Sequence, residues 1–308
     1  MSVKETCVNP LHVAVVACVT FPELGASDTL YADALRGLGA HVRVVQWNGS
    51  GTPVVALSGM DVAVLRCPWD YPQDVPGFLR WLDEIERAGV RLLNQPALVR
   101  WNLDKRYLFD LAQAGIAVPP TAEVRADLDA AGWCEAFAAV GAADGRRAVL
   151  KPCWGGSGLA VRPTTLSTAA DDLAEAEREA PGRTWLLQAF LPGIAAQGET
   201  SFVFVAGRFA HAVCTRPAHG EFRVNSRYAP RPSERVEPDP QLVDDAARVL
   251  AAIPGEASPL YARIDGAADT DGRLVCLEAE VIDPTLFLDL APETAGLLAR
   301  ATLDTIQS

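Results

Sequence analysis

The sequence predicts a chain that opens as a parallel α/β unit and continues as two α+β units, and three observations carry that reading. Short β-branched runs at 12–19, 41–47 and 61–66 alternate with segments of helical spacing, the pattern of a parallel sheet. The Pro119, Pro120 pair punctuates a boundary after them. Hairpin patterns then replace the alternation in the last third. The expected division is an N-terminal α/β domain over 1–100, a central domain over 101–187 and a C-terminal domain over 188–308.

Each element has its own signal. A helix is expected from Ser27 to Leu38, with Ser27 as N-cap and Leu30, Ala34, Leu35 and Leu38 on one face. Another is expected from Asp74 to Ala88, turning Phe78, Leu79, Leu82 and Ile85 inward, followed by a strand at 90–94. A single helix is read over Asn102–Ala114, ended by Gly115. The central unit takes strands at 147–152 and 184–188. In the C-terminal unit, 201–206 and 209–214 flank a turn at Gly207 and Arg208, and 260–265 and 273–278 flank one at Asp271 and Gly272. The proline-rich stretch 228–240 reads as a surface loop.

Composition narrows the function. The chain has 308 residues, 49% hydrophobic and 21% charged, enough apolar material for two or three packed units. Its formal charge of −12 repels a nucleic-acid backbone, so an anionic ligand must find a local cationic pocket. Lysines are scarce, which makes Lys105 and Lys151 informative. Seven widely spaced cysteines without a CxxC pair argue against a disulfide framework or zinc knot, and a reduced, cytoplasmic setting is expected. The first residues lack a signal-peptide pattern, and no apolar run is long enough to span a bilayer.

Two constellations carry chemistry. The run AVLKPCWGGSGLAV at 148–161 is a strand holding Lys151, a Gly-rich loop and a further strand. Gly155, Gly156 and Gly158, with Ser157 among them, let backbone N–H groups turn toward an anion beside the Lys151 charge. No GK[ST] follows, so this is not a P-loop. The second constellation is Asp265, Glu278 and Glu280. Glu278 and Glu280 share one face of a strand and Asp265 ends its neighbour, an arrangement suited to Mg2+ and nucleotide phosphates. Carboxylates in the otherwise apolar run LVCLEAEVIDP need such a reason. Histidines lack metal-ligand spacing and no GxSxG occurs, so nucleophilic hydrolysis has no foothold.

The order Lys105 in WNLDKRY, Lys151 in VLKPCWGGSG, Gln188–Leu191 (QAFL), Glu199, then Asp265, Glu278 and Glu280 before Pro284 resembles the ATP-grasp superfamily over nearly the whole chain. Prokaryotic glutathione synthetase is the nearest named pattern. The resemblance implies that Lys105 and Lys151 bind ATP phosphates under the loop at 153–158. It also implies that the backbone of Gln188, Ala189, Phe190 and Leu191 holds adenine, that Glu199 bonds the ribose, and that Asp265, Glu278 and Glu280 hold Mg2+. The chain departs from that pattern at Glu280, where the family has Asn. It also departs at Thr200 and Ser201, where a basic residue is missing, and at RCPWDY (66–71), which replaces a proline-rich motif. RCPWDY, WNLDKRY and LEAEVIDPTLF are more similar to the branch containing the cyclo-ligase of cycloserine biosynthesis.

Among the arginines Arg216, Arg223, Arg227 and Arg263, the first two and Arg263 are expected to stabilise phosphoryl-transfer charge, with Asn225 beside the substrate. Arg66 closes a strand at the carboxyl edge of the parallel sheet, where open α/β sheets place ligands. With Asp70 it suits a zwitterion, and Trp69 stands in the same loop. The expected activity is an ATP- and Mg-dependent ligase joining a carboxylate to a nitrogen of a small amino-acid-like substrate through an acyl phosphate. ATP is expected between the middle and C-terminal units, and the substrate at the N-terminal one. Intramolecular cyclisation is the rival within enzymes, and a nucleotide-binding sensor the rival of another class. No nucleic-acid or membrane partner is expected, and the resemblance is compatible with a homodimer.

Overall fold

A computed structural model describes residues 10–51, 53–143, 145–225, 228 and 230–307, which fall into two compact units. One comprises residues 1–96, 259–261 and 282–308, the other 97–258 and 262–281. The C-terminal segment from 282 therefore belongs with the first unit, whereas the sequence reading had kept 188–308 together.

In the first unit, β1 (His12–Ala17), α1 (Ala26–Gly37), β2 (His41–Gln46), α2 (Pro53–Ala56), β3 (Val62–Leu65), α3 (Val75–Arg87) and β4 (Leu92–Leu93) build a parallel sheet of order β2-β1-β3-β4. Val13 to Ala17 and Val62 to Leu65 are wholly buried, which is why these central strands read as unbroken apolar runs. The edge strand β2 keeps His41, Arg43 and Val44 exposed. Helix α3 buries Phe78, Leu82 and Ile85 of its predicted stripe, but Trp81 takes the buried place expected of Leu79, which stays part-exposed, and the Asp74 carboxylate accepts the Gly77 N–H at 2.9 Å as N-cap. Ser27 is not the N-cap of α1. The helix begins after Gly25 without a side-chain cap, and the Ser27 hydroxyl instead accepts the Leu288 N–H at 2.9 Å. The C-terminal helix Pro292–Gln307 buries Ala295, Leu298 and Ala299, and Thr302 shares a 2.8 Å hydrogen bond with the Tyr31 hydroxyl of α1.

The second unit holds two sheets, each over its own core. In chain order it runs α4 (Pro96–Asn102), α5 (Tyr107–Gln113), β5 (Thr121–Val124), α6 (Ala130–Ala139), β6 (Ala148–Pro152), β7 (Arg162–Thr164), α7 (Ala169–Glu179) and β8 (Trp185–Ala189). There follow α8 (Gly193–Gln197), β9 (Glu199–Val205), β10 (Arg208–Thr215), β11 (Glu234–Val236), α9 (Pro240–Ala252), β12 (Tyr261–Ala268) and β13 (Leu274–Glu280). Strands β5-β8-β6-β7 pair antiparallel over a core of Trp133, Phe137, Leu150, Leu173, Trp185 and Leu187. The order β11-β10-β9-β12-β13 forms the other sheet, over Phe202, Phe204, Val249, Ile264 and Cys276.

Three local expectations change. The helix read over 102–114 is two helices. Between them the Asp104 carboxylate accepts the Arg106 N–H at 2.9 Å, a local bond that competes with the helical ladder, while the Lys105 N–H donates to the Cys153 carbonyl at 2.8 Å. The β9–β10 turn falls on Ala206 and Gly207, both at positive φ (46° and 78°), as a tight hairpin with the right twist requires. Within the expected surface loop, Glu234–Val236 pairs with β10 as an edge strand.

Candidate active site

Strand β6 delivers Lys151 to the mouth of the Gly-rich loop. The side chain is only 9% exposed, and its ammonium makes no hydrogen bond or ion pair among the described residues. Burial, reinforced by the neighbouring charge of Lys105, pushes its pKa down to about 7. A buried cation without an anion is costly unless a ligand supplies one. Beyond it the chain turns through left-handed residues Ser157, Gly158 and Ala160. A side chain at Gly158 would put its Cβ 2.6 Å from Asn225 Oδ1 and 2.8 Å from the Tyr228 ring, so only glycine fits there. The loop is tethered at both ends. Trp154 Nε1 donates to Asp104 at 2.9 Å and the Arg183 guanidinium donates to the Trp154 carbonyl; at the far end the Tyr228 hydroxyl donates to the Gly158 carbonyl at 2.7 Å.

The acidic set faces the same region, and each carboxylate already has a cation. In the β12–β13 ladder Asp265 pairs with Glu278 and Arg263 with Glu280. The Arg263 guanidinium forks onto Asp265 at 2.8–3.0 Å and reaches Glu280 at 2.6 Å, and Lys105 is ion-paired with Glu278. Asp265 is nearly sealed and also accepts from the Ser201 hydroxyl at 2.6 Å. Burial would lower the Arg263 pKa, but the two carboxylates raise it above the usual value, so it stays charged. Among the described residues no three His, Cys, Asp or Glu side chains are grouped to hold a metal ion. Asp265, Glu278 and Glu280, expected to hold Mg2+ together, are instead each paired with a cationic side chain. Glu278 and Glu280, with side chains 33% and 26% exposed, suit a magnesium ion that keeps waters and phosphate oxygens, whereas the oxygens of Asp265 are taken by Arg263 and Ser201.

The segment expected to hold adenine begins inside β8. Gln188 pairs with Val149 and Thr121, donates its side-chain amide to the Thr121 hydroxyl at 2.9 Å, and is buried. The Ala189 N–H donates to the Pro120 carbonyl at 2.8 Å, and Phe190 and Leu191 lie beyond the strand end. The Phe190 ring lies 4.3 Å from the Arg147 guanidinium and 6.0 Å from the Phe222 ring. Glu199, first in β9, interacts with Asp265, Arg263, Glu280 and Lys151. Burial and the Asp265 charge push its pKa up, to about 8, against the opposing pull of Arg263 and Lys151.

The remaining predicted residues are placed differently. Arg223 does not join the acidic set. Glu221 grips it at 2.8–3.0 Å, it donates to the Val161 carbonyl at 2.8 Å, and it stacks 3.5 Å above the Tyr228 ring. Arg216 approaches Glu234 at 3.9 Å and is part-exposed. Arg227 lies outside the described residues. Arg66 is 0% exposed: it donates to Asp28 and to the Pro284 carbonyl, both at 2.7 Å, and lies 4.7 Å from the Tyr261 ring. Its expected direct grip on a substrate carboxylate is not seen, because the side chain is sealed from solvent with Nε and Nη2 engaged by Asp28 and Pro284, while its buried Nη1 has no hydrogen-bond partner among the described residues. Asp70 is likewise filled, accepting from Thr20 (2.6 Å), Trp47 (2.7 Å) and Asn48 (2.8 Å). Trp69 remains part-exposed.

Residues that braced the site escaped the sequence reading. The Asn102 side chain donates to the Ala279 carbonyl at 2.6 Å and accepts the Val281 N–H at 2.9 Å, and the Tyr107 hydroxyl accepts the Ala279 N–H at 3.1 Å. These hold edge strand β13 so that Glu278 and Glu280 keep their face. Both belong to WNLDKRY, whose lysine alone had drawn notice. Asp104, Ser201 and Tyr228 carried no separate signal.

Comparison with known proteins bears on the family and the fold. Residues 13–94 match the family described as D-cycloserine synthetase DcsG, N-terminal domain. Over 280 residues the chain is 29% identical to the cycloserine biosynthesis protein DcsG of Streptomyces lavendulae, spanning 89% of this chain and 92% of the relative. It is 30% identical over 229 residues to glutathione synthetase of Prochlorococcus marinus (strain MIT 9313), spanning 71% and 68%. The crystal structure of D-cycloserine synthetase DcsG matches with a TM-score of 0.84 at 26% identity, over 96% of this chain and 99% of that one. With that fold and a glutathione synthetase alike over two thirds of its length, the chain belongs to the ATP-grasp ligases.

Proposed function

We propose that the chain uses ATP to join the carboxylate of a small amino-acid-like substrate to a nitrogen through an acyl phosphate. The observation that carries the reading is Lys151, a nearly buried cation whose ammonium makes no ion pair among the described residues, set beside Lys105 and a glycine-bearing loop that turns through positive φ. Nucleotide phosphate supplies the missing anion. In this reading Lys105 and Lys151 hold the phosphates, the loop at Gly155, Gly156, Ser157 and Gly158 closes on them, and the backbone of 188–191 receives the base. Glu199, whose carboxyl is held above the usual range by burial and the Asp265 charge, faces the nucleotide in this reading. Glu278 and Glu280 would hold magnesium, which when bound neutralises phosphate charge and aligns the transferring group.

The substrate carboxylate oxygen forms a bond to the γ-phosphorus as the bond to the bridging oxygen of ADP breaks. The nitrogen then attacks the acyl carbon, phosphate leaves with its oxygen, and the nitrogen loses a proton. Arg263 stays charged throughout, next to Glu280, and offers a guanidinium where oxyanion charge develops. Positioning and electrostatics carry such a reaction, so no general base is assigned.

Cyclisation is favoured over joining two molecules by one observation. The similarity to a cycloserine biosynthesis protein covers nearly the whole chain, including the N-terminal match over 13–94. ADP release with a panel of amino acids, followed by product mass, tests both readings. ADP with a product one water lighter than a single substrate supports cyclisation, and a product combining two substrates supports ligation. Nucleotide binding without ADP from any acceptor would leave a sensor. Six free thiols among the described cysteines suit a reducing, cytoplasmic setting, and no described helix is long and apolar enough to cross a membrane.

A further inference from the structure

Asp70 joins the three loops that leave the carboxyl ends of β1, β2 and β3 in the first unit. Thr20 follows β1, Trp47 and Asn48 follow β2, and Asp70 itself follows β3; all three donors converge on its carboxylate at 2.6–2.8 Å. Asn48 also accepts the Val19 N–H at 2.9 Å, which ties the first two loops directly. The carboxylate is 6% exposed, and no cationic side chain pairs with it among the described residues. Its hydrogen bonds are satisfied, yet its charge is not balanced.

The same loops display aromatic surface. Phe21 is 48% exposed, and its ring meets Trp69 edge-on, 5.3 Å between centroids at 72°. The Trp69 ring lies against Gly25, where a Cβ would be 3.4 Å away, and its indole N–H points to the Asp283 carbonyl at 3.4 Å. Two rings in edge-to-face contact at the carboxyl edge of a parallel sheet, on loops held together by an unbalanced carboxylate, select for one chemistry. A cation is drawn both by ring faces and by the negative charge, whereas an anion is repelled by both.

We propose that Phe21 and Trp69 form an ammonium-recognition site for the amino-acid-like substrate, with Asp70 as the positioning residue that fixes its loops and supplies its charge. The proposal rests on the ligase reading for the identity of that substrate, but not for the existence of the site. It also replaces the direct contact first expected of Asp70 with an indirect one, since its oxygens are already filled.

The test uses full-length protein labelled with 5-fluorotryptophan and three probes: serine, serine methyl ester and N-acetylserine. The 19F signal lost in Trp69→Phe identifies Trp69. That signal should shift saturably with serine and its ester, which keep the ammonium, and not with N-acetylserine. Phe21→Ala should weaken both ammonium probes about fivefold, with recovery in Phe21→Tyr. Asp70→Asn keeps the hydrogen-bonding shape and removes the charge, and should erase the preference for ammonium probes; a purely structural role would alter the melting temperature without that loss of selectivity. A Trp69 signal unmoved by either ammonium probe, or moved equally by N-acetylserine, overturns the proposal. Calorimetric titration with a non-hydrolysable ATP analogue reads the ligase assignment separately. Its failure would sink that assignment and leave the Trp69 result standing.

Discussion

Replacing Lys151 with methionine gives the most direct test of the nucleotide site. Lowering the pKa from 10.5 to about 7 corresponds to about 5 kcal/mol against charging the ammonium in the free protein, since each unit is worth about 1.4 kcal/mol. At pH 7 about half of the free molecules hold neutral Lys151, and bound phosphate restores the proton. Nucleotide binding should therefore take up about half a proton at pH 7, close to none near pH 5.5 and almost one near pH 8.5. Calorimetric titration of a non-hydrolysable ATP analogue, in buffers of different ionisation enthalpy, counts those protons. Lys151→Met should lose that uptake, bind the analogue far more weakly, and release almost no ADP. The unfolded state binds more protons than the folded one between pH 7 and 10.5, so this group's contribution to free-protein stability improves as pH rises through that window. The methionine variant should lack that slope and melt no lower than the wild type at pH 7, because it replaces an unpaired buried charge by apolar volume. A variant with the same proton count and affinity as wild type would show that Lys151 does not meet the nucleotide.

Other perturbations discriminate between binding and bracing. Glu278→Gln should raise the magnesium concentration needed for ADP release and lower turnover on the order of a hundredfold, and activity persisting in excess EDTA would remove the metal from the mechanism. Arg66→Ala strands the buried Asp28 carboxylate, so urea unfolding should show a loss of about 3–5 kcal/mol with substrate KM in the surviving folded fraction unchanged. A large KM rise without destabilisation would restore the direct substrate role. Gly158→Ala forces a Cβ against Asn225 and Tyr228 at a φ of 66°, and kcat/KM for ATP should fall while the melting temperature moves little; equal activity would mean the loop can refold around it.

The sequence by itself determined the fold class, the family and the order of the motifs. Those features are written in local periodicity: β1 and β3 are apolar throughout because both faces are covered, α3 shows its stripe, and the hairpins announce their turns with glycine. Lys151 and its loop were legible for the same reason, a cation followed at once by glycines. Tertiary structure decided which charges are available. Arg66, just past β3, and Lys151, within β6, both have buried side chains, yet Arg66 finds Asp28 from a helix 38 positions away and the Lys151 ammonium makes no hydrogen bond or ion pair among the described residues. Arg223 and Arg263 look alike in sequence, but a glutamate two residues earlier captures the first, whereas the second is shared between Asp265 on its own strand and Glu280 across the ladder. Whether a charged side chain is free for a ligand depends on the groups that folding brings within about 3 Å of it, and those come from distant parts of the chain.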